Sequence, residues 1–252
     1  MNNSITRGEI TLNLKKRIKE KKEVISGKDA KKYANRKDDR SLTFNMTAFD
    51  IIEKLNLNKN SKILEVCCGS GQLAYNIYNL TKNKNITAID GSPTLIKAAK
   101  AKYNKYPIKF ETHNVHLYKS KSKFDVVICK DSFHHFSNPV KSLKELLNLV
   151  KEGGLIYIWD LCRDVYIEQA RKRSELIESN YEAKRFLASL NASFTTKEMN
   201  KIVSKANVSK LYTFYPFKFS KNNLKIHKEI INNSKVKENE FNRLFSVYII
   251  KK

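Results

Sequence analysis

Residues 62–74 read Lys-Ile-Leu-Glu-Val-Cys-Cys-Gly-Ser-Gly-Gln-Leu-Ala and predict the order strand, tight turn, helix. Gly69 and Gly71 have no Cβ, so the backbone of this turn can approach a ligand closely. The helix that follows directs free N–H groups and its positive end toward the same point. The stretch therefore predicts a binding site for a nucleotide-like cofactor.

Further motifs follow the turn at regular intervals. Gly69, Gly71 and Ala74 fit the glycine spacing of a dinucleotide fingerprint, which is a weak signal by itself. Asp90 closes the next apolar run about 20 residues further on, where a ribose-binding acid belongs. Residues 124–135 then combine an apolar strand pattern with a His-His pair, and a Gly-Gly turn precedes the apolar run 155–160.

Taken in order, these motifs resemble the class I S-adenosylmethionine (SAM)-dependent methyltransferases, closely over about residues 42–162. The corresponding parts are the acid and glycine turn at 65–71, the second acid Asp90, the adenine contact Asn114-Val115, the segment 125–135 and the strand 153–160. Two positions depart from the family pattern. Cys67 replaces its first glycine and Asn114 replaces an aspartate, although an asparagine can still hydrogen-bond an adenine amine.

The resemblance and the alternation of strand and helix patterns imply an α/β fold. We expect a doubly wound, mostly parallel seven-stranded sheet with helices on both faces, an N-terminal lid helix and a helical cap insertion. The expected segments are a basic N-terminal helix and lid at 1–40, a SAM-binding core at 41–162, the cap at 163–193 and the C-terminal part of the sheet at 194–252.

Individual elements are predicted from hydrophobic period and capping signals. Ile10, Leu14, Ile18 and Ile25 have near-helical spacing, so we expect a basic amphipathic helix over 9–25, followed by a polar loop from Lys28 to Arg40. The predicted strands are 62–68, 85–90, 108–112, 124–130, 155–160, 209–217 and 244–250. The predicted helices are 43–56, 71–81, one starting at Ser92-Pro93, one from Asn138-Pro139 that Gly153 ends, helical structure within 163–192, and 195–206.

The resemblance assigns most of the cofactor contacts. Glu65 would accept a hydrogen bond from the amino group or ribose edge of SAM, and Asp90 would accept from both ribose hydroxyls. Either acid could instead bind local backbone N–H groups, but we expect Ser92 to cap the next helix and leave Asp90 available. The cofactor-binding set is Glu65, Cys67, Gly69, Gly71, Asp90, Gly91, Asn114, Val115 and Lys130.

The residues for chemistry on the acceptor are less defined. His135, and after it His134, is a candidate general base because imidazole titrates near neutral pH. The alternative is that one histidine packs under the next helix and the other caps it. Arg163 and Tyr166 of the cap are candidate substrate contacts, since an arginine can clamp a carboxylate or phosphate.

Composition limits the remaining possibilities. The 252 residues carry a net charge of +24, which permits a polyanionic partner such as RNA but also fits lysines scattered over a solvated surface. No apolar run approaches the ~20 residues of a membrane helix, and no apolar signal core begins the chain, so we expect a cytoplasmic protein.

The cysteines indicate neither a disulfide framework nor a zinc site, because no Cys-x-x-Cys spacing is present. Cys67, Cys68, Cys129 and Cys162 fall near the ends of neighbouring strands. Four thiols there could hold a soft metalloid, or they could fill apolar space. No metal cofactor is predicted.

The sequence thus predicts direct in-line methyl transfer from SAM to a small-molecule acceptor, leaving S-adenosylhomocysteine (SAH). An RNA methyltransferase is one alternative, supported by the charge. A SAM-binding protein without activity is another. A NAD-dependent oxidoreductase is disfavoured because the chain offers no second nucleotide-binding half. The acceptor and the oligomeric state stay open.

Overall fold

The strands around the glycine turn lie in one sheet. The structure, a computed structural model, describes residues 5–7, 10–35, 41–165, 167–177, 179–208, 212–216 and 244–250. The strands are β1 (Thr6–Arg7), β2 (Ile10–Thr11), β3 (Ile63–Val66), β4 (Ile86–Asp90), β5 (Ile108–Thr112), β6 (Phe124–Lys130), β7 (Val150–Leu161), β8 (Tyr212–Pro216) and β9 (Leu244–Ile250). The helices are α1 (Gly27–Ala34), α2 (Ser41–Leu55), α3 (Gln72–Thr81), α4 (Pro93–Tyr103), α5 (Pro139–Leu147), α6 (Ile167–Leu176), α7 (Asn180–Ala192) and α8 (Thr196–Lys205).

The sheet order is β5-β4-β3-β6-β7-β9-β8, which makes seven strands among the described residues. The pairs from β5 through β7 are parallel, whereas β9 runs antiparallel to both β7 and β8. Pro216 closes the edge strand β8, as a residue without an N–H donor should. The predicted doubly wound, mostly parallel α/β fold is confirmed.

Both faces of the sheet are covered by apolar side chains. Because side chains alternate along a strand, Ile63 points to the face of α2, α3 and α4, whereas Leu64 points to the face of α5 and α8. In β7, Tyr157 and Trp159 face the side of α2, α3 and α4. Ile156 and Ile158 face the side of α5 and α8. This double burial explains the continuous apolar runs of β3, β6 and β7.

The helix predicted over 9–25 is wrong. In the described part of this stretch, Ile10 and Thr11 form β2 and no helix follows until α1. Ile10, Leu12 and Leu14 pack on α6 and α7 with a period of two. The backbone binds α7 instead of itself: the Asn13 N–H donates to Asn191 Oδ1 at 2.7 Å. We call residues 12–25, which extend from β2 toward α1, the N-terminal strap.

Two further boundaries were mispredicted. The polar loop expected from Lys28 is helix α1 over Gly27–Ala34, and residues 36–40 lie outside the described residues. Gly153 does not end the helix before it, since α5 stops at Leu147 with Asn148 as its C-cap. Gly153 instead has φ +71° inside β7, which starts at Val150.

The turn from β3 to α3 depends on left-handed backbone at alternate residues. Cys67 has φ 55°, Gly69 has φ 56° and Gly71 has φ 80°. A Cβ on Gly71 would lie 2.5 Å from Phe110 Cε1 and 3.2 Å from the Ala99 Cβ. Gly71 is therefore required by close packing of α3 on β5 and α4. At Gly69 a Cβ would meet the Tyr33 ring at 3.4 Å, and no other described side chain lies nearer.

Gly71→Ala should lower the free energy of unfolding by about 2–5 kcal/mol, because a left-handed alanine costs about 1–2 kcal/mol and overpacking adds about 1–3 kcal/mol. Gly153→Ala is the matched control, since its φ is +71° but no atom of the described residues lies within 4 Å of the added Cβ. It should cost only the backbone strain. Urea unfolding measures both, and equal losses would contradict the packing argument.

Cys67→Gly should be more stable than Cys67→Ala by up to about 1.5 kcal/mol. Glycine relieves a left-handed strain of about 1–2 kcal/mol and loses about 0.5–1 kcal/mol to chain entropy. The alanine variant removes the same thiol and keeps the strain, so the pair isolates the backbone effect. An alanine variant as stable as the glycine variant would show that Cys67 is not strained.

Candidate functional site

A pocket opens at the carboxyl ends of β3 and β6, beside the glycine turn. Glu65, Cys67 and Lys130, all predicted from the sequence, line it together. The other lining residues are Tyr33, Phe44, Cys68, Ser70, Gln72, Asp131 and Ser132. The sequence analysis did not select Tyr33 or Phe44, because they reach the pocket from α1 and α2, outside the sheet motifs.

Glu65 is a buried acid with unused hydrogen-bonding capacity. Its side chain is at the end of β3 and the residue is 3% exposed. The Ala74 N–H of α3 donates to the carboxylate, but Oε2 has no hydrogen-bond partner among the described residues. Burial raises the pKa of Glu65 to about 8, and the charge of Asp90 adds to this. A buried acceptor without a partner is costly, so Oε2 is set up to receive a donor from a ligand.

Lys130 lines the same pocket as this acid. The residue is 5% exposed, its Nζ pairs with Asp131, and the ammonium lies 4.4 Å from the Phe44 ring centroid and 4.1 Å from that of Trp159. The neighbouring carboxylate and the two ring faces stabilise its charge. The lysine's charge in turn acts to lower the pKa of Glu65, against the larger effect of burial.

Asp90 holds two turns together. Its Oδ2 accepts from the Gly69 N–H at 2.9 Å and its Oδ1 from the Ser92 N–H at 2.8 Å. Burial raises the pKa of this carboxyl, and the two backbone hydrogen bonds counteract the rise. Ser92 is the N-cap residue of α4 and Pro93 begins the helix, as predicted, but the Ser92 side chain makes no capping hydrogen bond. Asp90 therefore has the local backbone role that the sequence analysis had left as an alternative.

The remaining predicted cofactor residues lie near Asp90 but outside the pocket lining. Gly91 follows it, and a Cβ there would lie 2.8 Å from Val24 Cγ2, so the strap covers this position. The Asn114 side chain accepts from the His116 N–H at 2.9 Å and caps a short 3-10 helix that contains Val115. The cofactor contacts expected of these three residues stay predictions.

Arg163 does not have the role expected for it in the cap. The residue is 2% exposed, and its guanidinium donates to the carbonyls of Ser193 and Leu14 and to the Glu198 carboxylate. These partners occupy the side chain, so it ties the strap and α8 to the end of β7. Tyr166 lies outside the described residues.

His134 and His135 follow β6 in a short 3-10 turn, with rings 4.1 Å apart. Asp160 of β7 holds His134 from two sides: Oδ1 lies 2.6 Å from Nδ1, and Oδ2 accepts the backbone N–H at 2.9 Å. Burial alone would lower the pKa of His134, but the Asp160 carboxylate raises it above its ordinary value. His134 is thus anchored in the core, whereas His135 is more exposed.

The strap covers these histidines. Glu20 Oε2 lies 3.3 Å from His135 Nδ1, and Arg17 Nη2 donates to the His134 carbonyl at 2.8 Å. Burial would raise the pKa of Glu20, but the close His135 and His134 rings lower it to about 2. Sequence reasoning missed Glu20 because the helix predicted there placed it on a solvated face.

The cysteines fit the filler interpretation better than a metalloid site. Cys68, Cys129 and Cys162 are buried. Burial raises the pKa of Cys68 and of Cys162, and contact with the Cys67 thiol together with burial raises that of Cys129. Thiols with raised pKa values are poor sources of the thiolate that a soft ion binds.

Comparisons with known proteins agree with this geometry. Among curated relatives, a ubiquinone biosynthesis O-methyltransferase of Pelagibacter ubique is 32% identical over 102 residues, which is 40% of this chain and 42% of the relative. A malonyl-[acyl-carrier protein] O-methyltransferase of a Paenibacillus species is 24% identical over 174 residues, 66% of this chain and 62% of the relative. The chain thus spans less than two thirds of either relative.

Two solved structures share the fold. The plantazolicin methyltransferase BpumL in complex with SAH has a TM-score of 0.70 at 21% identity, over 88% of this chain and 89% of that one. The magnesium protoporphyrin IX methyltransferase of Synechocystis PCC 6803 with bound SAH has a TM-score of 0.56 at 13% identity, over 84% of each chain.

A sequence model of one family matches residues 57–218, which contain the glycine turn, Asp90, the histidine pair and the end of β7. The match covers well over half of the chain. The chain belongs to the family described as the methyltransferase domain.

Proposed function

We propose that the protein transfers a methyl group from SAM to a small-molecule acceptor. The observation that carries the proposal is the unpaired Oε2 of the buried Glu65, which lines a pocket at the glycine turn of a methyltransferase fold. A buried acceptor beside backbone N–H groups and an aromatic wall suits a ligand with an amino group and a polar nucleoside.

The residues present fit such a cofactor. Glu65 would accept from its amino group, while Asp90 and Gly91 would lie toward the ribose and Asn114 with Val115 toward the adenine. Cys67, Gly69, Gly71 and Lys130 would border the methionine part. SAM supplies a methyl group already activated on a positively charged sulfur. The task of the protein is then to orient the acceptor, exclude water and, where the acceptor carries a proton, to remove it.

The choice of a small acceptor rests on the cap. The antiparallel β1–β2 pair, α6 and α7 share one apolar cluster, so the N-terminal segment and the cap insertion pack together as one cover. A covered site favours a small acceptor over a long polymer. We also propose the predicted division of the chain into lid, core, cap and C-terminal part, and a cytoplasmic location. Among the described helices none combines the length and hydrophobicity that crossing a bilayer requires.

The histidines lie just after the pocket residues Asp131 and Ser132, outside the lining itself, and would act on an acceptor held there. His135 is the more accessible of the two, whereas Asp160 fixes the ring of His134. Either could take a proton from an acceptor hydroxyl or amine if the strap releases Glu20. This general-base role stays a prediction.

SAM binding should release close to one proton at pH 7. Glu65, with a pKa of about 8, is mostly protonated in the free protein at that pH, and it must ionise to bind an ammonium group. Calorimetry in buffers of different ionisation enthalpy measures the release. It should vanish at pH values well above 8, where the carboxyl is already ionised.

Glu65→Gln should abolish the proton release and weaken SAM binding. Glu53→Gln on the exposed side of α2 makes the same Glu-to-Gln change at the surface and should change neither. If the wild-type protein binds SAM without any pH-dependent proton release, the proposal that Glu65 contacts the cofactor is wrong.

Methyl transfer itself is tested with SAM radiolabelled on the methyl group, added with the protein to fractionated host extract. Label in the low-molecular-weight fraction, unaffected by ribonuclease and lost with Glu65→Gln, is the expected result. Label that ribonuclease removes would instead favour the RNA methyltransferase. Binding of SAM without any labelled product would favour a binding protein that has no activity.

A further inference from the structure

Three side chains outside the proposed cofactor contacts converge beyond the carboxyl end of β6. Glu20 of the strap faces His134 and His135, and one ligand atom from each of the three lies within 4.8 Å of the others. Glu20 Oε1 lies 4.0 Å from His134 Nε2, and Glu20 Oε2 lies 3.3 Å from His135 Nδ1. We call these residues the strap–histidine cluster.

The orientation of His134 points to a ligand. Its Nδ1 is engaged by Asp160, so the lone pair of the neutral ring can lie on Nε2. That nitrogen is directed into the cluster, has no hydrogen-bond partner among the described residues, and belongs to a residue 2% exposed. A carboxylate on one ring nitrogen and a free second nitrogen is the usual arrangement of a metal-binding histidine.

His135 supplies a second nitrogen of the same kind. Its Nδ1 is buried and makes no well-directed hydrogen bond within the described chain, although Glu20 lies near it. Two such nitrogens beside one carboxylate would be costly to leave without a partner. A positive ion between them would satisfy all three groups together.

We propose that Glu20, His134 and His135 bind a divalent transition-metal ion of the Zn²⁺ class, with Asp160 as the positioning carboxylate behind His134. Two imidazoles and one carboxylate match the ligand preferences of such ions and leave a further position open. Tetrahedral zinc places its ligand atoms about 3.3 Å apart, so the cluster needs to contract by roughly 1 Å. The ion would join the strap to the core.

A histidine outside the strap, His116 of the 3-10 turn Val115–Leu117, contacts the same strap and provides the contrast. His116 lies between two carboxylates, with Glu145 Oε2 2.6 Å from Nδ1 and Glu23 Oε2 3.2 Å from Nε2. Both of its ring nitrogens are already paired, so it has no lone pair directed at an empty position. His116→Ala removes a strap contact and an imidazole without changing the proposed ligands.

The test is Zn²⁺ and Co²⁺ binding to untagged, chelator-treated full-length protein, measured by calorimetry and by the visible absorption of Co²⁺. Wild type should bind one equivalent of either ion. Glu20→Gln and His135→Ala should each weaken binding at least about 100-fold, and Asp160→Asn about 10–100-fold, whereas His116→Ala should bind as wild type does. Circular dichroism checks that each variant is folded. If the Asp160→Asn variant, which changes a buried residue, does not fold, the result for Glu20→Gln decides the test.

Absence of stoichiometric binding in wild type, or equal weakening by His116→Ala, would overturn the proposal and leave the cluster as an ion pair between strap and core. The measurement requires neither SAM nor an acceptor, so its outcome is separate from that of the methyl-transfer assay. A bound ion would occupy the nitrogens that a general base needs. Confirmation would therefore replace the predicted base role of the histidines.

Discussion

The two hydrogen bonds of the Asp90 carboxylate hold together the turns at the carboxyl ends of the parallel strands, and the rest of the site depends on them. The carboxylate accepts one backbone N–H from the β3–α3 turn and one from the start of α4, and so fixes two neighbouring turns relative to each other. Both turns contain residues that we assign to the cofactor. An acid at this position is therefore needed before any ligand arrives, and its loss would disturb the pocket even if it never touched a ribose.

The core could be predicted from sequence because its signals are local. Strands β5, β6 and β9 have the predicted limits, since β5 alternates apolar and polar residues while β6 and β9 are mostly apolar runs, and both patterns indicate a strand. Cys67 was recognised as standing at a glycine position, and its φ of 55° gives the physical reason. Glu65 could be placed at the pocket because its signal is also local: it lies near the end of a buried strand, beside the glycine turn.

The strap and the cap could not be predicted in this way. Ile10, Leu14 and Ile18 have a spacing that a helix and an extended segment can both use, and the decision is made by partners on α7 that lie about 180 residues further along the chain. Arg163 looked like a ligand contact because the sequence does not show that Glu198 and the Leu14 carbonyl meet its guanidinium. Long-range partners of this kind also placed Glu20 beside the histidines.

The sheet order has a consequence for how the chain reaches its folded state. Strand β9 lies between β7 and β8, although β8 precedes it in sequence. Until residues 244–250 are available, β7 presents an open edge next to Trp159 and Ile158, and β8 has no neighbour in the sheet. An unpaired apolar edge is a template for association between chains. A chain interrupted before Leu244 would thus keep the whole cofactor half of the sheet and still be prone to aggregate.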